Sequence, residues 1–350
     1  MADHDDIARI DREIIGLISR RSELYMERLR ARTGEDSFAP EERSRLYDLI
    51  DSCNAGPLSG ETIKRVYTDI LTASMAAIAP VRVAFLGPEG TFTAIAVRGL
   101  FGEAIAKLPQ RTIQDVFLQV EAGSAGYGVV PVENSTEGAV TFTLDELMET
   151  TLSIMAEQYV RVTYSLLSRA SGISAVKKVY SHPQTLGQCK AWIRANLPSA
   201  EIVSVDSTSR AAEIAAGEDG AAAIASGLAG EIYTLNTLAT MIEDSRQNFT
   251  RFFLVGRKPA APTGNDKTSL VCAVKDRPGA LLDLLKPFSE AGINMTKIES
   301  RPDKKKMWEY NFFIDILGHA EDDTVRKALG KVKNETIFLK ILGSYPIGRQ

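Results

Sequence analysis

The chain has 350 residues, enough for two or three domains, and its 44% hydrophobic and 25% charged content is that of an ordinary globular protein with a substantial core. A net charge of −4 argues against a nucleic-acid partner held by bulk electrostatics, while the polar start from Met1 to Asp6 and the lack of any apolar run near about 18 residues predict neither a signal peptide nor a membrane span. Three scattered cysteines, Cys53, Cys189 and Cys272, have no CxxC or Cys/His metal spacing, so reduced thiols, no metal and a cytoplasmic location are expected.

Residues 5–32 place Ile7, Ile10, Ile14, Leu17, Ile18 and Leu24 on one helical stripe. A helix of roughly 28 residues is about 42 Å long, too long for a small domain to enclose, so it should pair with a copy of itself. A second helix begins near Ala39-Pro40, with Glu41 and Glu42 in its first turn, and runs to about Cys53. Ser59 caps a third, whose inner face is Ile63, Val66, Tyr67, Ile70, Leu71 and Ser74. Arg21, Arg28 and Arg32 follow along the first helix, where they either hold a small dicarboxylate or form a solvated basic stripe.

The pattern from Ile7 to Arg21 resembles the all-helical chorismate mutases, intertwined dimers that rearrange chorismate to prephenate by clamping one compressed conformer. The resemblance implies site roles for Arg21, Arg32 and Ser74. Three positions depart from it: His4 stands near where an arginine is usual, Ser44 where a glutamate is, and Ile78 where a glutamine is. These departures lead us to expect weak mutase activity or none, with a dimerising or regulatory remnant as the alternative.

After Pro80 the pattern changes to alternating strands and helices. Val81–Leu86 reads as a buried strand leading into Gly87-Pro88-Glu89-Gly90-Thr91-Phe92-Thr93 and an Ala-rich helix, a turn suited to an anion but neither a Walker loop nor a dinucleotide fingerprint. A second polar turn, Pro131-Val132-Glu133-Asn134-Ser135-Thr136-Glu137-Gly138, follows the strand at Tyr127–Val130. Residues 159–167 and Val176–Tyr180 read as further strands, the latter ending in Ser181-His182-Pro183-Gln184. His182 is open to two readings, a helix cap or an acid/base. Ile202–Val205 leads to the cap cluster Asp206-Ser207-Thr208-Ser209. Lastly, Asn248-Phe249-Thr250-Arg251 meets the buried strand Phe252–Val255, with Thr250 and Arg251 at its edge. Two α/β lobes should face a cleft, one built from 82 to about 160 and 240–257, the other from about 161 to 239.

The four motifs at 87–93, 130–138, 181–184 and 248–252, in this order, resemble prephenate dehydratases, whose two-lobed α/β fold is like that of periplasmic binding proteins. That implies conversion of prephenate to phenylpyruvate without metal or redox cofactor. Thr250 would protonate the departing hydroxyl, Arg251 would orient a carboxylate, and Glu133 would tune the proton supply or merely hold its turn. Thr91, Thr93, Asn134, Ser135, Thr136, Asn248 and Phe249 would line the cleft from one lobe and Ser181, Gln184, Ser207 and Thr208 from the other. The competing reading is a non-catalytic two-lobed sensor for a small dicarboxylate.

Residues 258–267 have linker composition. From 268 the order βαββαβ predicts a ferredoxin-like α+β domain. Asp276-Arg277-Pro278-Gly279-Ala280-Leu281 and Gly292–Pro302 resemble ACT regulatory domains, which pair side by side. The resemblance implies phenylalanine as effector, held by Gly279, Ala280, Leu281, Asn294, Glu299, Ser300 and Arg301; a ligand-free brace is the alternative. The expected order is a helical domain at 1–80, a dehydratase at 81–257, a linker and an ACT domain at 268–350, assembled as a homodimer or homotetramer.

Overall fold

A computed structural model describes residues 4–31, 38–275, 277–302 and 310–349. The N-terminal module is α1 (His4–Ala31), α2 (Pro40–Cys53) and α3 (Gly60–Ala76). Ser59 caps α3, its side chain accepting from Thr62 N at 3.2 Å. The C-terminal half of α1 packs inward, with Arg21 over the rings of Tyr25 and Tyr67. Its N-terminal half is bare: Ile14 is 47% and Leu17 68% exposed. The module is no tethered appendage. Leu29, Phe38 and Met75 share a core with Val83, Phe85 and Phe101, and Phe38 N donates to Tyr127 Oη at 2.8 Å.

The first lobe contains β1 (Arg82–Leu86), α4 (Phe92–Phe101), β2 (Ala106–Gln110), α5 (Ile113–Glu121), β3 (Tyr127–Asn134), β4 (Gly138–Ala139), α6 (Thr141–Glu149) and β5 (Ser153–Arg161). The second contains β6 (Ser165–Ser168), β7 (Lys178–Ser181), α7 (Pro183–Gln188), α8 (Lys190–Asn196), β8 (Glu201–Ser204), α9 (Thr208–Gly217), β9 (Ala221–Ala225), α10 (Gly227–Tyr233) and β10 (Asn236–Thr240). The chain then returns as β11 (Phe249–Gly256) between β3 and β5, giving sheet orders β2-β1-β3-β11-β5 and β10-β6-β9-β7-β8. The single strand expected over 159–167 is in fact two, in different sheets. The chain crosses between lobes there, where Val162 N bonds Asn248 O at 2.8 Å and Tyr164 N bonds Glu243 Oε2 at 2.9 Å.

The C-terminal domain is β12 (Asp266–Val274), α11 (Ala280–Glu290), β13 (Met295–Pro302), β14 (Tyr310–Leu317), α12 (Asp323–Glu335) and β15 (Thr336–Pro346), in sheet order β13-β14-β12-β15. This is the ferredoxin-like arrangement read from the sequence. One face buries Leu270 and Ile314 under Leu284, Phe288, Val325 and Leu329 of the helices. The other packs Val271, Phe313, Leu342 and Tyr345 into the first lobe's core with Leu147, Phe253 and Val255. The connection before β12 is fastened: Asp266 accepts from Thr263 N at 2.7 Å and Gly264 N at 3.0 Å.

Candidate active site

Strands β3 and β11 are antiparallel with Thr250 opposite Asn134 and Arg251 opposite Glu133. Because side chains alternate along a strand, these two pairs face opposite sides of the sheet. On the cleft side, Asn134 Nδ2 donates to Thr250 Oγ1 at 2.9 Å and to Asn248 Oδ1 at 2.8 Å. Asn134 Oδ1 accepts from Thr136 N, Thr136 Oγ1 and Glu137 N at 3.0, 2.6 and 3.1 Å. Three donors on that oxygen fix which way the amide points. Thr250 Oγ1 is therefore an acceptor toward Asn134, and its own proton is left to be donated elsewhere.

Asn248, 3% exposed, passes the polarity on. Its Nδ2 donates to Gln188 Oε1 at 3.2 Å, which also accepts from Tyr164 Oη at 3.1 Å. Gln188 Nε2 then reaches Thr136 Oγ1 at 3.4 Å and Glu137 Oε1 at 3.3 Å. Gln188 ends α7 in the second lobe, so this amide bridges the cleft. It was missed as a site residue, although it lies four positions after Gln184 and hence on the same helical face. Burial raises the Tyr164 phenol to about 12, keeping it a neutral donor.

Backbone amides come from two helix starts. Thr91 caps α4, accepting from Ala94 N at 3.3 Å, with Thr93 buried in the first turn. Ser207 caps α9, accepting from Arg210 N at 3.0 Å, and Thr208 follows it. Ser209 Oγ donates to Glu89 O and Ser226 Oγ to Gly90 O at 2.6 Å, so the second lobe holds the Gly-rich turn of the first. Ser135 fixes the strand entry instead of facing free space, donating to Gln247 O and accepting from Phe249 N, both at 3.0 Å.

Several expected site residues lie elsewhere. Ser181 is fully buried, its hydroxyl bonded to Ile224 O at 2.7 Å, so it does not close the cleft. His182 is the cap of α7, Nδ1 accepting from Gln184 N at 3.3 Å; the exposed Gln184 side chain is not tied into the cluster. Arg251, only 4% exposed, does not reach the Thr250 side. Its Nε donates to Glu157 at 2.7 Å, Nη1 to Asp315 at 2.6 Å and Nη2 to Tyr345 Oη at 3.0 Å. Burial opposes its charge, but Tyr345, Asp315 and Glu157 outweigh that and raise its pKa above the ordinary arginine value. Glu133 is with it, 3.9 Å from Arg251 Nη1 and 2.8 Å from Lys297 Nζ.

In the helical module, Arg21 Nη1 is buried with no hydrogen-bond partner, whereas Ser74 is committed to Ile70 O at 2.7 Å. Arg28 pairs with Glu42 at 3.0 Å. Arg32 lies outside the described residues. In the C-terminal domain, Gly279 caps α11 at φ +83, ahead of buried Ala280 and the 40% exposed Leu281. Asn294 O accepts from Leu317 N at 2.9 Å. Along β13, Glu299 and Arg301 alternate with exposed Ser300, and Arg301 reaches Asp145 of α6 at 3.2 Å.

Family models match in the same order: chorismate mutase type II over residues 4–77, prephenate dehydratase over 83–260 and ACT domain over 268–334. A bifunctional chorismate mutase/prephenate dehydratase of Aquifex aeolicus is 43% identical over 347 residues, covering 97% of this chain and 96% of its own. A prephenate dehydratase of Arthrobacter aurescens, solved in complex with L-Phe, aligns with TM-score 0.70 at 38% identity over 76% of this chain and 90% of that one. A quorum-quenching acylase gives the same TM-score at 31% identity, over 76% of this chain and 97% of that one. The frame alone therefore does not dictate the chemistry.

Proposed function

Because this chain belongs to the family of bifunctional chorismate mutase/prephenate dehydratases, we propose that Thr250, oriented by Asn134, is the hydrogen-bond donor to the hydroxyl that leaves prephenate. The enzyme converts prephenate to phenylpyruvate, water and carbon dioxide in phenylalanine synthesis, and an ACT domain fits feedback by phenylalanine. A sensor without catalysis does not explain this family membership.

The observation that carries the proposal is the one-way polarity of the Asn134–Thr250 bond. As the C–CO₂ bond breaks, its electrons enter the ring and expel the hydroxyl, which leaves readily only if a proton meets it. The Thr250 hydroxyl is oriented to supply it. The substrate's carboxylates go to the N-termini of α4 and α9, where free amides and helix dipoles favour negative charge. These two helix starts replace Arg251 in that role. Gln188 closes the second lobe over the bound ring.

In the helical domain, the unpartnered Arg21 Nη1 suits a chorismate carboxylate. That orphan donor, with relatives named for both activities, supports a working mutase despite His4, Ser44 and Ile78. The bare stripe on α1 supports a homodimer through this helix, each buried Ile or Leu contributing about 1.5–3 kcal/mol. We place the enzyme in the cytoplasm; among the described residues no helix is long and apolar enough to cross a membrane.

The test is a two-substrate assay on the purified chain, following phenylpyruvate from prephenate and, separately, loss of chorismate, alongside light scattering. Turnover of both by a dimer is expected. No turnover of prephenate would overturn the dehydratase assignment, chorismate left intact would overturn the mutase reading, and a monomer would overturn the α1 pairing.

A further inference from the structure

The charged pair behind the catalytic strands is in contact with β13, the strand on which the sequence places the expected effector residues Glu299, Ser300 and Arg301. Lys297 lies on β13, two residues before Glu299, and is in register with Asp315 of β14. Lys297 Nζ is 2.8 Å from Glu133 Oε2, Glu133 is 3.9 Å from Arg251 Nη1, and Arg251 Nη1 is 2.6 Å from Asp315. Around this ring the charges alternate in sign. Lys297, Arg251 and Asp315 side chains are 11%, 4% and 7% exposed, so these three are shielded from water, while the Glu133 side chain, 37% exposed, forms the open edge of the ring. Moving Lys297 leaves Glu133 with only the longer, 3.9 Å contact to Arg251.

Each ring member from the dehydratase domain is adjacent to a cleft residue. Glu133 precedes Asn134 on β3, and Arg251 follows Thr250 on β11. A shift of β3 against β11 would change the Asn134–Thr250 distance directly. The C-terminal domain also holds the segment that follows. Arg301 pairs with Asp145 at 3.2 Å, and Lys340 Nζ donates to Leu147 O, Met148 O and Thr150 O at 2.9, 3.0 and 2.5 Å, capping the end of α6.

We propose that Lys297, Glu133 and Arg251 are positioning residues that set the Asn134–Thr250 contact from the back of the sheet and couple it to the phenylalanine-responsive strand β13. The proposal rests on the dehydratase and feedback reading above. Phenylalanine need only favour one placement of β13 to change the catalytic geometry, since a ligand shifts an equilibrium by its differential affinity for the two states.

The experiment compares the full-length parent with Lys297→Met and Lys297→Arg, measuring prephenate kcat and KM with and without saturating phenylalanine, and phenylalanine binding by calorimetry. The expected parent response is at least about fivefold in kcat/KM, the lower end of ordinary allosteric coupling. In Lys297→Met, phenylalanine should still bind within about threefold of the parent affinity while the response falls below about twofold; Lys297→Arg should restore it. A Lys297→Met enzyme that responds like the parent overturns the relay alone. Loss of phenylalanine binding in that variant also overturns it, because Lys297 would then belong to the effector pocket. A parent that turns over prephenate but ignores phenylalanine overturns the feedback reading with the relay, and a parent without turnover overturns the dehydratase reading itself.

Discussion

Thr250 and Arg251 are adjacent in sequence and work on opposite sides of one strand: Thr250 Oγ1 is 2.9 Å from Asn134 Nδ2 in the cleft, and Arg251 Nη1 is 2.6 Å from Asp315 in the C-terminal domain. The two-residue period of a strand enforces the separation. Replacing Arg251 by Leu would take from Asp315 and the fully buried Glu157 side chain their shared cation, leaving Glu157 with Lys267 alone. Breaking a buried pair from one side costs about 3–5 kcal/mol. Scanning calorimetry should therefore show a large fall in Tm for Arg251→Leu and little change for Thr250→Ala.

Gly90 has φ +86, and a Cβ there would sit 3.0 Å from Ser209 Oγ and 3.3 Å from Ala229. Gly90→Ala would combine left-handed strain of about 1–3 kcal/mol with a push between the lobes. An increase of roughly tenfold in KM for prephenate is expected by steady-state kinetics.

Gln188 joins Asn248, Tyr164, Thr136 and Glu137 across the two lobes. Gln188→Leu keeps the size but removes every bond, at about 0.5–1.5 kcal/mol each. Closure over substrate should weaken, raising KM by about tenfold or more, while the Asn134–Thr250 pair keeps kcat within about tenfold.

Burial raises the Cys189 and Cys272 thiols from 9.0 to about 12, whereas Cys53 is exposed. At pH 8 a thiol reagent should label one cysteine in the native enzyme and three after unfolding. Because the folded-state values are raised, the stability from keeping these thiols neutral is full below about pH 9 and is lost as the pH rises through about 12. Tm should decline across that window.

The chemistry-bearing residues of the sequence motifs cluster at strand ends and helix starts: Asn134, Thr250, Thr91 and Ser207 all fall there. Local pattern could not say which side of β11 meets the C-terminal domain. Arg251 was therefore expected in the cleft, although alternation alone separates it from Thr250. Ser181 ends a buried strand, and its hydroxyl turns back to Ile224 O instead of outward. Gln188 escaped notice because its role depends on packing between lobes that are far apart in sequence. The α1 stripe was legible for the opposite reason, since its apolar face has no cover among the described residues.

The most direct measurement is the rate of phenylpyruvate formation from prephenate by Thr250→Ala and Thr250→Ser beside the parent, with folding checked by calorimetry. General acid assistance contributes about 10²–10⁴-fold. Thr250→Ala should therefore lose at least about a hundredfold in kcat, and Thr250→Ser, which keeps the hydroxyl, should remain within about tenfold of the parent. A folded Thr250→Ala enzyme with nearly full kcat would contradict the account.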